Sequence, residues 1–189
     1  MNYTPIILTT IRLVFSIIIL FPYTLYLTPF FSTYNIGGLI LFTFLALTDF
    51  FDGYIAKRYN AKTYIGSILD PLADKVLIFS ALLPMTFKGI VPAWFSCILL
   101  MRDFCIGSLR EITAQKGFQL KPIFLAKIKT TFLLCFINYI YYNPNLYKNN
   151  SSCYIIVIYG IMLIIIILSL LSFIAYLKQT LAILKKLHS

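Results

Sequence analysis

The sequence predicts an all-α, polytopic integral membrane protein of six transmembrane helices with both termini in the cytoplasm. Three observations carry that prediction. Of the 189 residues, 60% are hydrophobic and only 12% are charged, with a mean hydropathy of +0.89. A soluble domain carries about 25% charge, so this composition argues against a water-soluble enzyme. The apolar residues fall into six runs, each near the roughly 20 residues that cross a bilayer. The basic residues concentrate in alternate connections between those runs.

The spans are expected near 5–29, 34–57, 65–87, 92–114, 121–142 and 153–177. The first begins at Pro5, where a missing N–H costs a helix nothing. No basic stretch precedes its apolar run, no small-residue cleavage site follows, and Arg12 interrupts it, so it reads as a retained span and not a signal peptide. The second follows the turn residues Thr33-Tyr34-Asn35-Ile36-Gly37-Gly38, and the third runs to a break at Lys88-Gly89. Pro92 opens the fourth, which stops before Lys116-Gly117; Pro122 stands near the start of the fifth, which stops before Asn143-Pro144-Asn145. The sixth is an apolar run followed by a tail containing Lys178 and the pair Lys185-Lys186, which reads as a solvated face touching anionic lipid. There is no internal repeat and no soluble domain, so 1–189 is expected to form a single membrane domain.

Orientation follows from the basic residues. One side has Lys57, Arg58, Lys62, Lys116, Lys121, Lys178, Lys185 and Lys186, and the other only Lys88 and Lys148. Eight against two puts both termini in the cytoplasm. The net charge of +10 suits the anionic cytoplasmic face of a bilayer. It does not point to nucleic acid, because the aromatic residues sit in apolar runs and not in basic stripes. Cys97, Cys105, Cys135 and Cys153 form no Cys-x-x-Cys pair, and the one histidine is His188. Zinc sites and Cys/His nucleophile pairs therefore lack their raw material.

All six acidic residues, Asp49, Asp52, Asp70, Asp74, Asp103 and Glu111, lie between positions 49 and 111. A carboxylate at the centre of a membrane helix costs roughly 2.5–3.5 kcal/mol on insertion scales, and four without partners on the order of 10 kcal/mol. The spacing shows what offsets this. Asp49 and Asp52 share a helical stripe with Gly53 and Ala56, while Gly66, Asp70 and Asp74 recur every four residues on the next helix. A short basic loop makes the two helices antiparallel, so four carboxylates converge in the cytoplasmic half of the membrane. That is a hard, oxygen-only donor set suited to Mg²⁺ or Mn²⁺. The small residues leave room for a flat ligand or a close backbone. The plainer alternatives are salt bridges to Lys57, Arg58, Lys75 and Arg102, with the glycines serving close helix packing.

Taken together the run is Asp49-x2-Asp52-Gly53-x2-Ala56-Lys57-x8-Gly66-x3-Asp70-x3-Asp74. This resembles the signature of the CDP-alcohol phosphatidyltransferases, integral membrane enzymes of phospholipid synthesis. Lys57 stands where the family usually has arginine; it keeps the charge and loses the planar fork. Further stretches resemble the bacterial members that use glycerol phosphate. They are Leu69-Asp70-Pro71-Leu72-Ala73-Asp74-Lys75, Arg102-Asp103, Leu109-Arg110-Glu111 and Lys127-Ile128-Lys129-Thr130, with Pro5, Leu8-Thr9 and Arg12 on the first helix. Ile6 departs from the polar residue common there, and the last helix matches only as an apolar span.

The resemblance implies transfer of a phosphatidyl group from CDP-diacylglycerol to sn-glycerol 3-phosphate, with release of CMP. It also implies a six-helix fold, divalent metal dependence, a homodimer, and a bacterial inner membrane with the active site near its cytoplasmic face. Asp49, Asp52, Asp70 and Asp74 would hold the metal, Asp74 doubling as general base. Thr9, Gly53, Ala56, Lys57 and Gly66 would line the CDP-lipid.

The acceptor's phosphate needs cations. Arg102 and Arg110, eight apart on the fourth helix, and Lys127 and Lys129, at the start of the fifth, are the candidates, with snorkelling to lipid headgroups as their alternative use. Arg12 is open between the acceptor and pairing with an aspartate. Asp103 and Glu111 read as partners for these cations and not as catalysts. Three rival functions share some of these features. A cardiolipin synthase of the same superfamily is disfavoured by Leu109-Arg110-Glu111 and the Lys127–Thr130 element. A transporter or proton relay should carry carboxylates through the membrane and not at one level. An aspartate-rich membrane prenyltransferase needs a longer chain.

Overall fold

In the computed structural model the described residues are 4–27, 36–58, 64–118, 120–143 and 152–188, with side chains described for 9–26, 36–48, 69, 71–118, 120–143 and 156–185. All secondary structure among them is helical. Helix α1 is Thr4–Phe15 and runs on into two π-helical turns, Ser16–Leu20 and Tyr23–Leu27. Then come α2 (Ile36–Arg58), α3 (Tyr64–Phe87), α4 (Ala93–Gln115), α5 (Phe124–Tyr142) and α6 (Ser152–His188). Among the described residues three stretches are long and apolar enough to cross a membrane, Thr9–Tyr26, Phe124–Tyr142 and Ile156–Lys185, and Ile36–Thr48 is a shorter apolar one. Large apolar side chains lie open on the outside, among them Phe87 (81% exposed), Phe124 (73%) and Ile156 (69%). Such a surface fits lipid and not water.

The chain forms two compact units, residues 1–91 with 137–149, and residues 92–136 with 150–189. In the first, α1 packs on α2 and α3. Its buried stripe is Thr9, Arg12, Ser16, Leu20 and Thr24. One step of three (about −60°) and three steps of four (about +40° each) keep all five within an arc of about 120°. The facing stripe of α3 is Ala73, Leu77, Ala81 and Met85. Polar side chains inside this unit pair across helices: Thr24 shares a 2.8 Å hydrogen bond with the Tyr141 hydroxyl, and the Thr43 hydroxyl donates to Asn138 at 2.9 Å. The Lys88 ammonium donates to the Thr24 carbonyl at 2.7 Å.

In the second unit α4 packs along α6. The α6 seam is Ile158, Met162, Ile165, Ser169, Ser172 and Tyr176, alternating steps of four and three; Leu99, Ile106 and Thr113 repeat every seven on α4. This is the spacing of two helices in coiled-coil-like contact, and the serines let the backbones approach.

Three boundaries differ from the sequence expectation. Ile36, Gly37 and Gly38 lie in the first turn of α2 and not in the break before it. A Cβ on Gly37 would collide with the Tyr23 hydroxyl, so that glycine serves a close approach and not a turn. The fifth helix starts at Phe124, because Pro122 holds the preceding backbone out of the helix. The sixth continues to His188, eleven residues past its expected end and through Lys178, Lys185 and Lys186. No proline or glycine follows Gly160 to stop it, and a membrane-length limit does not bind a helix that runs on past its apolar segment.

Gly89 and Gly117 end α3 and α4 with φ of 71° and 79°. Each forms the paired closure of a left-handed cap: Ile90 N–H to the Met85 carbonyl at 2.9 Å, and Phe118 N–H to the Thr113 carbonyl at 3.0 Å. Alanine at Gly89 should therefore cost about 1 kcal/mol. Alanine at Gly160, inside α6 with open space around it, should be neutral or gain up to about 1 kcal/mol. Thermal unfolding of the two variants in detergent checks the contrast; equal shifts would remove the capping role of Gly89.

Candidate active site

Helices α2 and α3 pack against each other and between them carry the whole aspartate pattern. Asp49, Asp52, Gly53, Ala56 and Lys57 are on α2; Gly66, Asp70 and Asp74 are on α3. The side chains of Asp49, Asp52, Gly53, Ala56, Lys57, Gly66 and Asp70 lie outside the described residues. That of Asp74 is described. It is half exposed (49%), and its Oδ1 lies 3.3 Å from Nη2 of Arg12, a side chain only 2% exposed. Of the two uses open for Arg12, the structure shows pairing with an aspartate. Burial of a guanidinium is costly without a counter-charge, and Asp74 supplies one. The Ser16 hydroxyl donates to the Arg12 carbonyl at 2.8 Å, at the junction with the first π turn. Thr9 is buried three residues before Arg12 on the same stripe.

The cations expected to meet the acceptor are on α4 and α5, and they sort into two kinds. Arg102 and Lys129 are enclosed. Arg102 donates through Nη1 to Asp103 Oδ1 at 2.6 Å, through Nη2 to the Ser172 hydroxyl, and through Nε to the Ser169 carbonyl at 3.3 Å. The Lys129 ammonium reaches both oxygens of Asp103, at 3.2 and 3.3 Å. One carboxylate thus joins two cations from two helices, tied to α6 by two serines. Arg110 and Lys127 are exposed. Arg110 donates through Nη2 to the Tyr176 hydroxyl at 2.9 Å, and its Cζ lies 5.3 Å from the centre of that ring.

Asp103 is therefore a partner of the cations, as its neighbourhood in sequence indicates. Glu111 is exposed and makes no such pair among the described residues. The residues that sequence reasoning missed are Ser169, Ser172 and Tyr176. A signal existed: with Thr180 they are hydroxyl side chains spaced three, four and four apart in an otherwise apolar helix. That stripe marks the face turned to the arginines.

Chemically, the enclosed cluster is a fixed polar brace, and the exposed arginine has donors left over for an anion. Asp74 is an accessible carboxylate held beside a permanent cation. Its oxygen donors are of the hard type that a divalent ion takes, and the helices bearing its three companions are in contact.

Residues 2–177 match the profile of the CDP-alcohol phosphatidyltransferase family. A protein of Wigglesworthia glossinidia brevipalpis is 34% identical over 179 residues, 92% of this chain and 91% of its own length. One from Bacillus subtilis is 38% identical over 96 residues, and one from Rickettsia bellii 40% over 93 residues. All three bear the name CDP-diacylglycerol–glycerol-3-phosphate 3-phosphatidyltransferase. The matched segment spans about half the length of the Bacillus and Rickettsia relatives, 50% and 51%. A match that takes in nearly every residue of the chain decides its membership. The chain belongs to the CDP-alcohol phosphatidyltransferase family, whose members in general depend on a divalent metal.

Removing the carboxylate that joins Arg102 and Lys129 would leave two enclosed cations without their counter-charge. Asp103→Asn should cost about 3 kcal/mol, the loss typical of breaking a buried ion pair. Thermal unfolding in detergent measures it; a variant as stable as the parent would show that the cluster is already solvated.

Proposed function

We propose that this chain transfers the phosphatidyl group of CDP-diacylglycerol to sn-glycerol 3-phosphate, giving phosphatidylglycerol phosphate and CMP. The observation that carries the reading is the complete aspartate pattern on two helices in contact, ending in a half-exposed Asp74 beside Arg12. The relatives named for this reaction, one of them similar along 92% of the chain, support it.

In this reading an acceptor hydroxyl attacks the β-phosphorus of CDP-diacylglycerol. A new P–O bond forms to glycerol phosphate, the bond to the CMP phosphate breaks, and CMP leaves with the bridging oxygen. Asp74 takes the hydroxyl proton; Arg12 holds that carboxylate in place and compensates its charge before the proton arrives. Asp49, Asp52, Asp70 and Asp74 would hold Mg²⁺ or Mn²⁺, which when bound neutralises charge on the diphosphate oxygens. Thr9, Gly53, Ala56, Lys57 and Gly66 line the CDP-lipid. Arg110 and Lys127 meet the acceptor phosphate directly, with Arg102 and Lys129 adding positive field from within their cluster with Asp103. We further propose one membrane domain of six spans with cytoplasmic termini, acting as a homodimer in a bacterial inner membrane with its site near the cytoplasmic face. The basic residues at the expected cytoplasmic ends support that orientation.

Asp70→Asn should abolish turnover in a protein that still folds. Asp74→Asn should lower turnover by about 10²–10⁴, the range for loss of a general base, while CDP-lipid binding changes less. Turnover is followed as CMP formed by purified variants. Near-normal rates in either variant would contradict the reading, and equal loss of binding and turnover in Asp74→Asn would make that residue chiefly a metal ligand.

A further inference from the structure

Sequence alone reads α6 as an apolar span. In the structure one of its polar contacts is made by Tyr176, a residue 1% exposed. The Tyr176 hydroxyl accepts from Arg110 Nη2 at 2.9 Å and from the Ile123 amide at 3.3 Å. Ile123 immediately precedes α5, at a helix start where backbone N–H groups have no partner within the helix. One phenol thus ties together α4, the entry to α5 and α6. Packing does not require this hydroxyl, because a phenylalanine ring would fill the same seam.

We propose that Tyr176 is a positioning residue for anion recognition: it presents the Arg110 guanidinium to the phosphate of the acceptor. The inference rests on the acceptor reading of Arg110 given above. A guanidinium has five N–H donors in a planar fork. Among the described residues Arg110 directs one nitrogen at Tyr176 and lies over the same ring, and the rest of the fork is left for an oxyanion. An exposed arginine otherwise loses rotamer freedom on binding, and a buried tyrosine that fixes it beforehand lowers that cost. The same hydroxyl fixes the backbone from which Lys127 and Lys129 follow within two turns, so the phenol sets the spacing of cations on two helices.

The test uses the purified full chain, with the Michaelis constants for sn-glycerol 3-phosphate and CDP-diacylglycerol measured in Tyr176→Phe, Arg110→Ala and the double variant. Tyr176→Phe should raise the glycerol phosphate constant about two- to tenfold, the factor one net hydrogen bond is worth, and leave the CDP-diacylglycerol constant unchanged. Arg110→Ala should raise the glycerol phosphate constant further, and the double variant should match Arg110→Ala. If Arg110→Ala raises that constant but Tyr176→Phe does not, or if Tyr176→Phe has its full effect without Arg110, Tyr176 is only a packing residue. If Arg110→Ala leaves the glycerol phosphate constant unchanged, the acceptor reading falls and this inference with it. Should Tyr176→Phe not fold, Arg110→Lys asks the same question from the other side. It keeps the charge and loses the fork, and a constant equal to that of the parent overturns the proposal.

Discussion

Charge buried in an apolar helical protein must be answered by opposite charge or hydrogen bonds on a neighbouring helix, and that constraint organises this molecule. In one unit the Arg12 guanidinium, 2% exposed, is answered by Asp74 across α1 and α3. In the other, Asp103 answers Arg102 and Lys129 together. Lipid offers no alternative partner, so each group specifies which faces of its helix and its neighbour come together. Apolar residues fill the seams without discriminating among them. The charged and hydroxyl groups set the register.

The same constraint shows in how polar residues are placed along single helices. α1 buries Thr9, Arg12, Ser16, Leu20 and Thr24 along one stripe that continues through its two π turns. At the end of that stripe Thr24 meets Tyr141, its partner at 2.8 Å. On α6, the alternation of three and four that buries Ile158, Met162 and Ile165 brings Ser169, Ser172 and Tyr176 to the same face. There they meet Arg102 and Arg110. A packing seam and a set of polar anchors therefore share one stripe.

Much of this was legible in the residues. Hydropathy placed six helical elements, because runs of apolar residues near bilayer length leave few alternatives, and the Lys88-Gly89 and Lys116-Gly117 breaks became left-handed caps. Helix ends were less legible: nothing local stops α6 at 177, and Gly37-Gly38 looks like a turn until Tyr23 is found against it. The aspartate pattern stood out because carboxylates are expensive in membrane helices. The pairing of Arg12 with Asp74, sixty-two positions away, could not be chosen over the acceptor from sequence, since pattern within one helix says nothing about which neighbour it meets. Tyr176 was hidden for a related reason. Its spacing with Ser169, Ser172 and Thr180 marks one face of α6, but only its neighbours on α4 and ahead of α5 show what that face meets.

We propose that two sets of charges, carboxylates on α2 and α3 and cations on α4 and α5, serve the two substrates of one transfer. The most direct measurement is CMP release by the purified protein in vesicles containing CDP-diacylglycerol, with and without sn-glycerol 3-phosphate and with and without Mg²⁺ or Mn²⁺. The account predicts CMP and phosphatidylglycerol phosphate in equal amounts, and only when acceptor and metal are both present. CMP released without the acceptor, or none released when every component is supplied, would contradict it.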